Sequence, residues 1–467
     1  MAKTIQNTKF LKRLIWLYLI LLLTEGAMRK WGPSSLATPL LIVRDPVVIL
    51  IYMVAMSRGL FPANGFVMAT FLLAIACFAA SLLAPDTNLV VTLIGLRCYF
   101  LHIPLVFVME KALDEEDLWA MGKFLLWFTL PETLLCVTQF YTTQNHWSNL
   151  SVGGQVTEGM TGANGHFRPS GTFSFTTGVA EFYPLALGAL LGFMLTKQKI
   201  STFLSIAAGV SIAVAVPVSI SRTNAVTCAL VLLVGGLSLF ALPRPPRLIM
   251  RTVLVLGLVT MIASWMPHFD EGVDAFSARW TNSTGADVSG FQENIVGRFF
   301  RDLLPPADLF FSTPLVGWGV GRGTLMAQGY LTGARGFIMG ENEWPRVVLE
   351  MGPLLAVAFI GLRIALCGRL VKSSFAALRR ANICPALFAV TAFFLVLDAQ
   401  WAQATTQGFA TFCAGLALAA CNMGTKGAEA KKGKPRRTVR QPQWRERLYE
   451  PEPASESARF NPRLPLP

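Results

Sequence analysis

The sequence predicts an all-α fold, a polytopic transmembrane helical bundle of about twelve spans with a large extracytoplasmic loop. Composition is the first reason. Hydrophobic residues make up 53% of the 467 positions and charged residues only 14%, against about 25% charged in soluble domains. Mean hydropathy of +0.51 agrees. The second reason is pattern: apolar residues fall in long runs instead of amphipathic stripes, and runs of about 18–20 residues cross a bilayer core.

The first predicted span, 13–28, follows Lys9, Lys12 and Arg13. No small-residue cleavage site follows it, so it reads as a retained anchor and not as a signal peptide. Spans follow at 36–56, 66–84, 89–109 and 119–140. A polar stretch, 141–176, separates these from spans at 177–196, 201–219, 223–242 and 249–266. A second polar stretch, 267–343, is long enough for a small folded cap and leads to the last spans, 344–366, 383–398 and 401–421. The membrane domain is thus 1–424, and 425–467 reads as a disordered basic tail rich in Pro, Glu, Lys and Arg.

Orientation follows from the basic residues. The N-terminus, Lys197–Lys199, Arg244–Arg251, Arg369–Arg380 and the tail all fall on one side of a twelve-span chain. That side is expected to be cytoplasmic, with both termini inside and the chain multi-pass in the inner (plasma) membrane. Arg29 and Lys30 fall on the wrong side and count against the scheme. The two polar stretches then lie outside. Loops longer than about 15 residues are usually functional, so the outer face is expected to carry the chemistry.

Much of the net charge of +13 sits in the tail. Attraction to anionic membrane lipids explains it, and no recognition fold or aromatic interleaving supports a nucleic-acid partner. None of the 8 cysteines lies in either outer stretch, and no Cys/His spacing resembles a zinc site. No metal and no cofactor is expected. A metal held by His146, His166 and His268 is the weaker reading.

Within the polar stretches, Gly340–Gly352 packs carboxylates, an amide and an arginine at the doorway of an apolar run. Polar groups near lipid are expensive and rarely idle. Glu341 and Asn342 are the catalytic candidates here, although an acid at a helix start also serves as a cap. Arg346 precedes Glu350 by four positions, so the two are expected to pair on one helix face with Glu350 as an orienting group. Arg168, Arg222, Arg298 and Arg322 are the binding candidates, with Arg346 beside them. Guanidinium is permanently charged and forks onto phosphate oxygens; the alternative for each is simple snorkelling to headgroups. Gly317–Gly323 resembles a nucleotide loop only superficially, lacking the strand before it, and is expected to form a tight turn. Arg44 and Asp45 are expected to neutralise one another or meet Glu25. Glu132 and Asp398 are interior polar residues whose partners the sequence does not name.

Taken together, Arg168–Pro–Ser–Gly–Thr–Phe, Ser219–Ile–Ser–Arg222–Thr, Pro314–Leu–Val–Gly–Trp–Gly319 and Glu341–Asn342 followed by Glu350–Met–Gly352 resemble the O-antigen ligase and polymerase superfamily of bacterial envelope enzymes. The likeness runs from about Arg168 to about Arg363, and Glu25–Trp31 with Arg44–Asp45–Pro46 looks like the subgroup associated with exopolysaccharide synthesis. It implies a metal-independent, inverting glycosyltransferase at the outer face. The donor would be a polyprenyl-pyrophosphate-linked oligosaccharide, and a flippase and a chain-length regulator would be further partners. Where ligases of that family show His–Asn, this chain has Glu341–Asn342, which favours polymerase over ligase. The carboxylate would accept the proton of the attacking hydroxyl. Ligation to lipid A core or another acceptor is the alternative. A transporter or flippase is the rival from another class, disfavoured because the chain shows no internal repeat.

Overall fold

Caps written in the sequence start several of the helices. Asn64 accepts from Val67 N–H at 2.9 Å, Asn88 from Val90 N–H at 3.0 Å, and Ser221 from Asn224 N–H at 3.3 Å. Asp114 and Asp117 form a reciprocal capping box. The computed structural model describes residues 2–85, 88–156, 162–196, 198–241, 257, 261, 267–284, 307–332, 339 and 342–423. Among these the regular structure is helical, with an isolated bridge between Ser151 and Gln155 and a single bridge residue at Phe167.

In chain order the helices are α1 (Ala2–Trp31), α2 (Arg44–Ser57), α3 (Gly65–Leu83), α4 (Leu89–Leu96), α5 (Ile103–Ala112), α6 (Glu115–Tyr141), α7 (Thr176–Leu195), α8 (Thr202–Val218) and α9 (Arg222–Ser238). Then come α10 (Pro267–Thr284), α11 (Ala307–Ser312), α12 (Leu325–Thr332), α13 (Glu343–Leu378), α14 (Cys384–Leu397) and α15 (Ala404–Ala420). The predicted spans fall on these helices, with 36–56 starting in short 3-10 turns before α2 and 89–109 divided between α4 and α5; 249–266 lies outside the described residues apart from 257 and 261. Among the described residues six segments are long and apolar enough to cross a membrane: Ser34–Ser57, Gly65–Leu83, Leu89–Ala112, Glu115–Tyr141, Thr176–Leu195 and Glu343–Leu378. The third of these joins α4 to α5 through a π-turn at Arg97–Leu101.

Helix α7 is the axis of the bundle. Its apolar window is buried on every side, as expected of a helix without a polar face. Small residues let neighbours approach: Gly188 lies with the Leu387 carbonyl 3.3 Å from where a Cβ would sit. Such close backbone approach substitutes for a hydrophobic driving force between helices in lipid.

One departure from the expected spans matters. Helix α13 is not continuous, because Gly352 (φ 76°, ψ 162°) breaks it just before Pro353. Proline has no N–H, so the Leu349 carbonyl loses its helical partner. It accepts instead from Trp318 N–H at 2.8 Å, and the Glu350 carbonyl accepts from Gly319 N–H at 3.2 Å. The break is stitched by the glycine-rich turn. The first two turns of α13 are therefore a separate piece from the long apolar helix after it.

The two ends of the bundle differ. At one end Lys12 pairs with Asp114 and, at 2.6 Å, Asp117, while Arg369 pairs with Glu110 at 2.9 Å. Arg379 and Arg380 close α13 at this connector end, where Asn382 Nδ2 donates to the Ala420 carbonyl at 2.8 Å. The opposite end collects the C-termini of α1, α6, α8 and α14 and the N-termini of α2, α7, α9, α13 and α15. Ties across it include Arg29 to Ser174 at 3.0 Å, Thr177 to Gln403 at 3.2 Å and Trp344 Nε1 to the Leu397 carbonyl at 3.0 Å.

Candidate functional site

The arginine that opens α9 sits in a turn built for it. Ser221 is the cap, Asn224 is fully buried and donates to Ser219 Oγ at 3.1 Å, and Ile220 between them adopts φ 46°. A β-branched residue with positive φ is a genuine outlier. Arg222 thereby begins its helix at the pole where backbone N–H groups point outward and negative charge is favoured.

Arg168 lies near enough to Arg222, and to Arg279 from α10, for their charges to act on it. Burial, then the charges of Arg279 and Arg222, pushes the Arg168 guanidinium down to about 10. It still carries its proton at neutral pH. Its Nε is buried with no hydrogen-bond partner among the described residues. A buried guanidinium with one unused donor, beside two further arginines, has capacity to bind an anion. Helix α10 is seated on the end of α8, with Gly272 close to Val218, and Tyr141 at the end of α6 bonds Glu271.

Helix directions put the start of α13 at the same end. Gly235, late in α9, lies against Leu387, early in α14. The start of α9 therefore faces the same way as the end of α14, where Leu397 receives Trp344 of α13. Asn342 is the exposed N-cap of α13. Glu341, the residue before it, lies outside the described residues, and so does Arg298.

Glu350 and Arg346 are not at a surface. Both are fully buried, and they pair at 3.7 Å on one helix face as their spacing predicts. Glu350 accepts from Gly321 N–H at 2.7 Å and from Gly323 N–H at 2.8 Å, so it holds the glycine-rich turn that contains Arg322. Arg346, expected at the substrate, is instead engaged by Glu343 and by Tyr99 Oη at 3.2 Å. The reason is geometric: the break at Gly352 folds this short helical piece inward against the π-turn between α4 and α5.

The turn needs its glycines. Gly317, Gly319 and Gly321 have φ of 70°, 99° and 97°, and a Cβ on Gly321 would lie 2.2 Å from the Val91 carbonyl oxygen. Gly321→Ala is accordingly expected to destabilise the protein by roughly 1–3 kcal/mol. A thermal melt in detergent checks this; an unchanged midpoint would mean the turn does not pack against α4.

Of the two pairings expected for Arg44 and Asp45, the one with Glu25 is present for Arg44, and Asp45 takes partners outside that expectation. Arg44 meets Glu25 at 3.0 Å, whereas Asp45 is taken by Arg97 and by His102 at 3.1 Å. Glu132 accepts from Thr172 N–H at 3.1 Å. Of the histidines considered for a metal, His146 caps a short turn and His166 stacks on Phe140 at 3.9 Å. Among the described residues no group of three His, Cys, Asp or Glu is placed to hold a metal ion.

No protein-family model matches the chain, and no curated protein matches it. What the site can do follows from its own chemistry. It offers an electropositive cradle, with one buried free donor, at the bundle end that also starts α13.

The sequence reading misses Arg279, Glu343 and Lys30 as parts of this end. Arg279 carries no local signal, lying in a polar stretch with several other arginines. Lys30 does carry one: it is a basic residue out of step with the charge rule.

Proposed function

We propose that the chain is a polysaccharide polymerase of the inner membrane. It would move a polyprenyl-pyrophosphate-linked glycan onto the hydroxyl of another lipid-linked repeat. The single observation that carries this is the nearness of Arg222 and Arg279 to Arg168, whose buried guanidinium nitrogen is unpartnered among the described residues. Pyrophosphate is the anion such a set suits, because forked donors match its oxygens. The connector end carries Lys12, Arg369, Arg379 and Arg380, which supports a cytoplasmic connector end and an extracytoplasmic cradle in a twelve-span chain.

In this reading Arg168, Arg222, Arg279 and Arg298 bind the donor pyrophosphate, with Arg322 a lesser contributor. Glu341 takes the proton of the acceptor hydroxyl as its oxygen attacks the anomeric carbon. The bond from that carbon to the pyrophosphate oxygen breaks on the opposite face, which inverts the configuration. The arginines take up the charge of the departing polyprenyl pyrophosphate, and Asn342 holds the sugar or the carboxylate. A strain carrying Glu341→Gln is expected to lose polymer and accumulate single lipid-linked repeats. Normal polymer length there refutes the assigned base, and a deletion strain that leaves long, undelivered polymer points to ligation instead.

A further inference from the structure

The segment that carries Arg168 is held from outside itself. Arg168–Ser174 contains no helix or strand, so its backbone groups need partners elsewhere. Gly171 is the centre of the grip, with φ 55°. Its N–H donates to Gln139 Oε1 at 2.7 Å, and its carbonyl accepts from Gln139 Nε2 at 3.2 Å. The same carbonyl accepts from Lys30 Nζ, which also donates to Ser170 Oγ at 3.0 Å. The other end of that peptide group is Thr172 N–H, which donates to Glu132. An ammonium and a carboxylate thus hold opposite ends of one peptide dipole, each with the sign that end attracts.

Lys30, Glu132 and Gln139 are all buried, and none touches open solvent where a substrate could reach it. A buried ammonium is costly unless paired and hydrogen-bonded. Here its bonds go to the residues two and three places after Arg168. A Cβ on Gly171 would overlap Glu132 Oε1, so the clamp leaves this stretch of backbone no slack.

We infer that Lys30 is a positioning residue for Arg168: it fixes the turn through Ser170 and Gly171 so that the guanidinium stays beside Arg222 and Arg279. This rests on the donor-binding reading above. Lys30 acts on the anion only through Arg168, which separates it from a residue that merely stabilises the fold.

The test is a double-mutant cycle in the full-length protein in lipid nanodiscs, with farnesyl pyrophosphate as the probe. Lys30→Met is expected to weaken binding about tenfold in the wild-type background and to add nothing to Arg168→Gln, because residues acting in series do not sum. Independent, multiplying losses overturn the inference. If Lys30→Met does not fold, Ser170→Ala removes one contact of the clamp and enters the same cycle with the same two outcomes. A ligand-free measurement separates this inference from the donor reading: the rate of Arg168 modification by phenylglyoxal, read by mass spectrometry against exposed Arg58. A changed Arg168 rate in Lys30→Met, with Arg58 unchanged, supports positioning even if the wild type binds no pyrophosphate, which would sink the donor reading alone. An unchanged Arg168 rate overturns positioning whatever the binding shows.

Discussion

Glu343→Ala is expected to destabilise the protein by about 3–5 kcal/mol, the range for stripping one partner from a buried ion network. Glu343 is 3% exposed, and both of its oxygens are occupied. One accepts from Arg363 Nη1 at 2.6 Å and from the Trp401 backbone N–H at 3.2 Å; the other accepts from Arg346. Arg363 in turn donates to the carbonyls of Val396 at 2.7 Å and Ala399 at 2.8 Å and lies over the Trp401 ring. One carboxylate therefore ties the start of α13 to its long apolar helix and to the turn between α14 and α15. Removing it strips Arg363 of the carboxylate it pairs with at 2.6 Å and leaves Arg346 only its longer pairing with Glu350 at 3.7 Å. Thermal unfolding in detergent should register the loss as a large fall in midpoint. Adding Arg363→Met to the variant should recover part of it, because the charge that Glu343 paired with is then gone. A Glu343→Ala protein that melts like wild type would show that the network contributes nothing.

The contrast between Glu343 and Glu350 marks how far the sequence could be read. The spacing of Arg346 and Glu350 is local, so their pairing on one helix face is legible and the structure has it at 3.7 Å. The bond from Glu343 to Arg363 spans twenty positions and depends on the break at Gly352, which reads in the sequence as a Gly–Pro inside an apolar run. Helix positions were legible for a related reason: apolar runs and Asn, Asp or Ser caps are local signals. Partner choice among interior charges is not local. Arg44 lies next to Asp45 in sequence, yet on a helix neighbouring side chains diverge by about 100°. Each then takes the partner its own face meets, Glu25 on α1 or Arg97 and His102 on the π-turn side. Lys30 shows the reverse case, where a violated rule was the informative signal. The polar settings of Arg168 and Arg222 mark them one at a time, and their nearness to Arg279 is decided by how α10 seats on α8.

Arg168→Gln and Arg222→Gln are each expected to lower turnover of a lipid-linked donor by about 10²–10³, the usual loss when one preorganised donor to a developing negative charge is removed. The two should not behave alike in every respect. Arg168 has a buried nitrogen without a partner, so its guanidinium has donor capacity left for the departing pyrophosphate. Arg222 adds its charge at the opening of α9, where the helix dipole already favours an anion. Arg222→Lys keeps charge at that pole and should retain part of the activity. Arg168→Lys loses the fork and should retain less, since lysine is a point charge that does not bind phosphate oxygens in pairs. Assays in nanodiscs with a synthetic polyprenyl-pyrophosphate oligosaccharide, at matched protein stability, separate these effects. Raising ionic strength should weaken donor binding in the wild type more than in either glutamine variant, because fewer fixed charges remain to be screened. Full activity in both glutamine variants would leave the cradle without a substrate and remove the reason for reading this bundle as a transferase.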